Sequence, residues 1–187
     1  MVTLLFGVPW WTLLSAGTRW PTAMVVIGSA VFAAGFVALP VLMMRGHGRS
    51  HWDWAAATAD ALLGAVWVLF VWAVLGQVLR LALLMLGVED PARSRVVAGA
   101  VVAIVLGLLV WGYAEAMRVP RIRHVEVTIP GLGAGLNGLR VAMITDTHFG
   151  PIDRSRWSAA VVARVNGLNA DLVCHVGDIA DGTVEVR

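Results

Sequence analysis

The chain of 187 residues contains no lysine, one tyrosine, one cysteine and few charges of either sign. All fourteen basic side chains are arginine, and the single Cys174 excludes a disulfide within the chain. Charged residues make up 14% of the chain, whereas soluble domains have about a quarter. The formal net charge of +2 is too small to indicate a nucleic-acid partner. The composition therefore excludes an ordinary soluble domain and a disulfide scaffold.

What the chain has instead is long apolar runs, with 59% hydrophobic residues and a mean hydropathy of +0.79. A bilayer core of about 30 Å requires roughly 20 apolar residues per helix. Three runs meet that length, at residues 22–44, 55–86 and 96–117. The sequence thus predicts a helical membrane region over residues 1–118. Alanine, valine and arginine usage is typical of a GC-rich, bacterial genome, so the expected location is a bacterial plasma membrane.

The first apolar segment, residues 1–17, is short and contains Pro9 beside two tryptophans. It is interpreted as a short or truncated first span, which gives three or four transmembrane helices. A cleaved signal peptide is the alternative, although the segment lacks a basic start and a small-residue cleavage site.

Arginines flanking the spans predict the orientation of the chain. Five lie on the side of the C-terminal region and three on the other, namely Arg45, Arg49, Arg118, Arg121 and Arg123 against Arg19, Arg93 and Arg95. The positive-inside rule then favours a cytoplasmic C-terminal domain. If the long span leaves the membrane before Arg80, the count becomes five against four.

The last region, residues 119–187, changes character because charges return and the hydrophobic period falls to two. Val125, Val127 and Ile129 predict a half-buried strand, followed by a glycine-rich turn at 130–138. Two further apolar runs, 139–145 and 171–176, predict strands buried on both faces. Between them, a helix is expected from Asp153 or Ser155 to about Leu168, with Trp157, Val161, Val162 and Val165 on one face. Strand, helix and strand form a βαβ unit with parallel strands, the start of an α/β domain.

Residues 133–138 match the dinucleotide-binding pattern G-x-G-x-x-G. That pattern must follow a strand and open a helix, so that the pyrophosphate meets the helix N-terminus. Here it precedes a strand, so a turn is predicted and no cofactor-binding residue is assigned.

Carboxylates and an imidazole follow the two predicted parallel strands. Asp146 and His148 come directly after the first strand and Asp178 after the second. If the extended conformation persists, Asp146 and His148 project to the same side. Open α/β sheets bind ligands at the carboxyl ends of their strands, and this donor set suits Mn, Zn or Fe. The alternative is that both aspartates only terminate strands.

Three segments resemble the opening of a calcineurin-like metallophosphoesterase domain of the membrane-anchored branch. They are LRVAMITDTHFGP at 139–151, NADLV at 169–173 and GDIADG at 177–182. The resemblance implies a hydrolase with two divalent metal ions, Asp146 and His148 binding the first and Asp178 bridging both. Asp181 would be structural or lie behind the ligands.

The family also uses a later Gly-Asn-His-[Asp/Glu] motif and a Gly-His-x-His motif, and neither occurs in this sequence. The chain is therefore expected to be the N-terminal part of a membrane-anchored phosphoesterase, with no catalytic proton donor of its own and no activity as given. The expected partners are the lipid bilayer and a phosphoester substrate, for which a lipid-linked compound is one expectation. The alternative function is a non-catalytic membrane scaffold or transport-related protein with a degenerate phosphoesterase module.

Overall fold

The computed structural model describes residues 1–48, 52–149 and 155–180. The chain forms two compact units, Met1–Tyr113 and Ala114–Arg187. The division falls five residues before the boundary predicted from composition, inside the last long helix. Each unit has its own architecture.

The first unit is entirely helical. Helix α1 (Val2–Trp10) continues into a π-helical turn (Trp11–Ser15), and three long helices follow: α2 (Thr22–Gly46), α3 (Asp53–Met85) and α4 (Ala92–Ala116). These three are long and apolar enough to cross a membrane, whereas the Val2–Ser15 segment is shorter. The helices cover the runs predicted as spans, 22–44, 55–86 and 96–117, to within a few residues at each end.

Two apolar clusters hold the helices together. The first joins α1, α2 and α3 through four buried side chains, Leu5, Phe6, Leu39 and Val66. The second lies along α4, where Val97, Val101 and Val105 pack against side chains of α3 and the π-helical turn. Outside these clusters most large apolar side chains of α2, α3 and α4 are exposed, as expected for helices that face lipid.

A polar cluster around Asp90 joins the loop after α3 to the turn after α1. Asp90 Oδ2 lies 2.5 Å from Arg93 Nη2 and 3.8 Å from Arg80 Nη2. The Ser94 hydroxyl contacts Asp90 Oδ1 at 2.5 Å and also contacts the carbonyl oxygen of Ala16. Because Ser94 is 1% exposed, this contact ties the two segments together beneath the surface.

The same cluster shifts the acidity of Asp90. The hydrogen bond from the Ser94 side chain lowers the pKa of Asp90 below 3.8; partial burial opposes this, and Arg93 lowers the pKa further. Gly17 lies against the cluster and has a φ of +83°. A Cβ atom at this position would lie 2.8 Å from Asp90 Oδ2, so a side chain here would press on the carboxylate. Asp90 is thus an ionised, internally partnered carboxylate at the end of the helical unit.

After the end of α4 the second unit continues with an irregular segment, so the strand predicted around Val125, Val127 and Ile129 is wrong. Residues 119–129 contain no helix or strand, and these three side chains are 79%, 71% and 56% exposed. Alternating hydrophobicity favours a strand only where a neighbouring strand supplies hydrogen bonds and a cover, and among the described residues none pairs with this segment. The glycine-rich stretch forms turns and a short 3₁₀ helix (Ala134–Leu136), as the turn prediction requires.

The βαβ unit is confirmed. Strand β1 (Val141–Thr145), helix α5 (Ser155–Asn166) and strand β2 (Leu172–Val176) follow in order. The strands are parallel, with Val141 opposite Leu172 and Thr145 opposite Val176. Val161 is the buried position of α5, and Val162, which was predicted to share its face, is 56% exposed. Asp153 lies outside the described residues, so its capping role remains a prediction.

Burial of both strands on two faces is not observed. In β1 only Ala142 is buried, at 8% exposure, while Val141 and Met143 are 51% and 69% exposed. No residue of β2 is fully buried. Among the described residues no second layer covers these side chains, so apolar character alone did not determine their burial.

Candidate metal site

The candidate site lies where β1 and β2 end side by side. Thr145 and Val176 are the last paired residues, and Asp146 and Gly177 follow them directly. The amide of Asp146 still donates to the carbonyl of Val176 at 3.3 Å. The parallel register therefore brings the two acidic segments to the same edge of the sheet.

Asp146 and His148 do not continue the extended conformation from which their common direction was predicted. Their φ angles are +52° and +44°, in the left-handed region that aspartate and histidine enter more readily than most residues. The chain turns there, and the amide of His148 donates to the carbonyl of Asp178 at 3.0 Å. The two side chains converge because of this turn and its backbone pairing, not because of strand alternation.

The turn gathers three potential metal ligands. One donor atom from each of Asp146, His148 and Asp178 lies within 4.8 Å of the others. His148 Nε2 is 3.9 Å from Asp178 Oδ2, and the amide of Asp178 lies 3.4 Å from Asp146 Oδ1. All three side chains are exposed. No arginine forms an ion pair with either carboxylate in the part of the chain that the structure describes.

Gly177 allows the two segments to approach each other. Its φ is +83°, and a Cβ atom at this position would lie 2.5 Å from Asp146 Oδ1. Any side chain would therefore displace the Asp146 carboxylate in addition to straining the backbone. The position between β2 and Asp178 therefore favours glycine.

The donor set fits a divalent ion. Zinc binds histidine nitrogen and carboxylate oxygen at about 2.0–2.2 Å, so two ligands of one ion stand at most about 4.4 Å apart. The distance of 3.9 Å between His148 Nε2 and Asp178 Oδ2 lies within this limit. The donor atoms of all three residues lie within 4.8 Å of one another, so they would have to move by only a few tenths of an ångström to bind one ion. Two carboxylates and an imidazole are also a suitable combination for Mn or Fe.

Sequence reasoning missed a contact immediately behind these ligands. Thr147 is 2% exposed, and its hydroxyl donates to the carbonyl of Ile179 at 2.9 Å. Its Oγ1 also lies 3.0 Å from His175 Nε2. His175 lies within β2, and no spacing rule would have indicated its contact with Thr147, 28 residues away.

The remaining polar residues of this region stand apart from the three donors. Asp171 lies at the other end of β2, where its Oδ2 accepts from the amide of Arg140 at 2.8 Å. Cys174 is half-buried within β2. Asp181, for which the resemblance implies a structural role or a place behind the ligands, lies outside the described residues.

Comparison with known proteins finds three relatives. The chain is 31% identical over 138 residues to a protein from Danio rerio named transmembrane protein with metallophosphoesterase domain, and 30% identical over 101 residues to the protein of that name from Bos taurus. It is 31% identical over 67 residues to an uncharacterized metallophosphoesterase from Campylobacter jejuni. No protein-family model and no solved structure matches the chain.

The matches cover 70%, 54% and 36% of this chain but only 31%, 23% and 17% of the relatives. The chain thus spans less than a third of the length of these proteins. Two relatives carry both a membrane region and a phosphoesterase domain in their names, so the resemblance inferred from the three sequence segments is confirmed.

Proposed function

We propose that this chain, a member of the membrane-anchored metallophosphoesterase family and an integral membrane protein, supplies part of the metal centre of a phosphoester hydrolase. Asp146, His148 and Asp178 are its metal ligands. The observation that supports the proposal is their convergence: donors from two parallel strand ends lie within 4.8 Å of one another. The family of the relatives supports the same chemistry.

The proposed centre binds two divalent ions, of which Mn, Zn and Fe suit the ligands. Such ions would polarise a phosphoryl oxygen and lower the pKa of a water molecule. Asp146 and His148 would hold the first ion, and Asp178 would bridge to the second. Gly177 keeps the Asp146 carboxylate close to Asp178, and the turn at 146–148 orients the imidazole.

These three side chains alone make an incomplete centre. Two-metal hydrolases need further ligands, and neighbouring carboxylates without a cation repel each other. We therefore expect residues 1–187 on their own to bind metal weakly and to have no measurable phosphoesterase activity.

The membrane region determines where the activity would take place. Arg80 contacts Asp90 in the loop after α3. We therefore count it with Arg19, Arg93 and Arg95, so that five arginines flank the spans on the side of the C-terminal region and four on the other. The excess still favours a cytoplasmic C-terminal unit in a bacterial plasma membrane. Attachment to the membrane through the same chain would raise the effective concentration of membrane-bound substrates at the site. A lipid-linked phosphodiester or pyrophosphate is the proposed substrate class.

The test is the variant Asp178→Asn in the full-length protein, by which we mean a form that contains a complete phosphoesterase domain. Loss of the bridging charge should reduce turnover of a phosphodiester at least about a hundredfold, while membrane insertion stays normal. Asp171→Asn is the matched control, because it changes the same residue type at the opposite end of β2 and keeps an oxygen that accepts from Arg140. Near-normal turnover in Asp178→Asn would refute the two-metal assignment.

The same preparation distinguishes the alternative function. A non-catalytic scaffold with a degenerate module should hydrolyse neither lipid-linked nor soluble phosphoesters, and EDTA should change nothing. A preference for soluble nucleotides over lipid phosphoesters in bilayers would refute the substrate class alone and leave the metal centre standing.

A further inference from the structure

Thr147 is the one buried polar side chain of the second unit within the described residues, although both of its neighbours are exposed. It stands between Asp146 and His148, so its side chain turns inward where theirs turn outward. A buried hydroxyl requires hydrogen-bond partners, because an unsatisfied one costs free energy. The partners of Thr147 therefore indicate what the burial accomplishes.

The directions of the two hydrogen bonds can be assigned from the groups involved. The carbonyl of Ile179 only accepts, so the single hydroxyl proton of Thr147 points to it over 2.9 Å. The Thr147 oxygen must then accept from His175 Nε2 at 3.0 Å. His175 consequently carries a proton on Nε2 and acts as the donor that orients the hydroxyl.

These bonds connect the two segments that carry the ligands. Ile179 directly follows Asp178, and its carbonyl accepts from the Thr147 hydroxyl and also from the amide of Phe149 at 2.9 Å. The Asp146–His148 turn is thereby fixed to the Asp178–Ile179 segment from behind, on the side away from the donor atoms. Beyond Thr145 and Val176 the regular ladder gives way to single backbone contacts, His148 with Asp178 and Phe149 with Ile179. The Thr147 hydroxyl adds a side-chain contact to them where the ligand spacing is determined.

We propose that Thr147, oriented by His175, is a positioning residue that sets the distance of Asp146 and His148 from Asp178. The inference rests on the proposed metal centre and deepens it, because it explains how exposed side chains on left-handed turns keep one geometry. Groups behind metal ligands typically change metal affinity 10–100-fold when they are removed.

The experiment measures Mn²⁺ affinity of the full-length protein in detergent by electron paramagnetic resonance of the free ion. Thr147→Val keeps the shape and removes both hydrogen bonds, so it should weaken binding by about 10–100-fold. Thr147→Ser keeps the hydroxyl and should stay within about threefold of the wild type. His175→Leu should weaken binding, whereas His175→Gln places an amide donor near Nε2 and should restore much of it.

Thermal unfolding of each variant separates positioning from general stability. A merely structural role would lower the unfolding temperature of Thr147→Val without changing the affinity of the folded protein. Should Thr147→Val fail to fold, the His175→Leu and His175→Gln pair decides by itself. Equal affinity in that pair, or Thr147→Ser losing as much as Thr147→Val, would overturn the inference.

The outcome also separates this inference from the proposed function. If the wild type binds Mn²⁺, Asp178→Asn loses it and Thr147→Val retains it, the positioning role is wrong and the metal centre stands. If the wild type binds no Mn²⁺, both are wrong.

Discussion

The two units each contain an aspartate that lies against a left-handed glycine, yet the two carboxylates have opposite surroundings. Asp90 is 2.8 Å from the position of a Cβ on Gly17, and Asp146 is 2.5 Å from that on Gly177. Asp90 is bound by Ser94, Arg93 and Arg80. Asp146 has a carboxylate and an imidazole beside it instead.

The difference separates a structural carboxylate from one available to a ligand. Around Asp90, the cations and the hydroxyl of the protein itself satisfy the charge, and the cluster joins two loops of the helical unit. The Asp146 and Asp178 carboxylates are exposed to solvent and lie close together, and no described arginine forms an ion pair with either of them. An added cation would supply to the second centre what Arg93 and Arg80 supply to the first.

The largest expected effect beyond loss of a ligand comes from Gly177→Ala. The added Cβ must move Asp146 Oδ1 outward by about an ångström, and misplacement of that size can reduce a rate on the order of 10²-fold. Turnover and Mn²⁺ affinity should both fall in the full-length protein. Gly138→Ala is the matched control, since its φ is +84° and nothing lies within 4 Å of its Cβ. Equal losses in both variants would mean that backbone strain alone is responsible.

Gly17→Ala applies the same test to the structural carboxylate. The new methyl group would press on Asp90 Oδ2 and hold a residue other than glycine at φ +83°, so destabilisation of about 2–4 kcal/mol is expected. Gly87→Ala has φ +75° and an open surrounding, and should lose only about 1 kcal/mol. Thermal unfolding in detergent measures both. Mn²⁺ affinity should not change, and a loss of affinity in Gly17→Ala would contradict the separation of the two centres.

Acid should weaken the Asp90 cluster in a defined pH range. Because the folded pKa of Asp90 is lowered from 3.8, its ionised form stabilises the fold fully above about pH 4. That contribution disappears as the pH falls through the lowered folded value. Unfolding temperatures between pH 7 and pH 3 should therefore fall less in Asp90→Asn than in the wild type. Glu89→Gln, the neighbouring residue in the same loop, is the control and should follow the wild type; parallel curves for Asp90→Asn would exclude the linkage.

The smallest effect is expected at Val125, in the segment wrongly predicted as a strand. Since its side chain is 79% exposed, Val125→Lys should change the free energy of unfolding by less than about 0.5 kcal/mol. Ala142→Lys places a charge at a position with 8% exposure and should cost at least about 2 kcal/mol. A large loss in Val125→Lys would show that the segment is covered after all.

Local patterns predicted what depends on local physics. The three long helices follow from apolar runs that match the thickness of a bilayer, and β1 and β2 follow from short apolar runs that end in acidic residues. The segment around Val125 has the strand pattern but no partner strand within residues 1–48, 52–149 and 155–180, and a single run cannot reveal whether a partner exists.

The three candidate ligands lie together at the predicted edge of the sheet, but not for the predicted geometric reason. Strand alternation suggested that Asp146 and His148 point the same way, whereas left-handed turns at both residues bring them together. The contacts of Ser94 with Ala16 and of Thr147 with His175 join residues 78 and 28 positions apart. Such contacts arise from tertiary packing, and residue spacing does not indicate them.

The most direct measurement is the anomalous diffraction of Mn²⁺ in crystals of the full-length protein. The account predicts density in direct contact with donor atoms of Asp146, His148 and Asp178, and none at Asp90, whose charge Arg93 and Arg80 already balance. Asp178→Asn crystals grown in the same way should lose that density. Mn²⁺ bound elsewhere in an active protein, with these three residues free of it, would contradict the account.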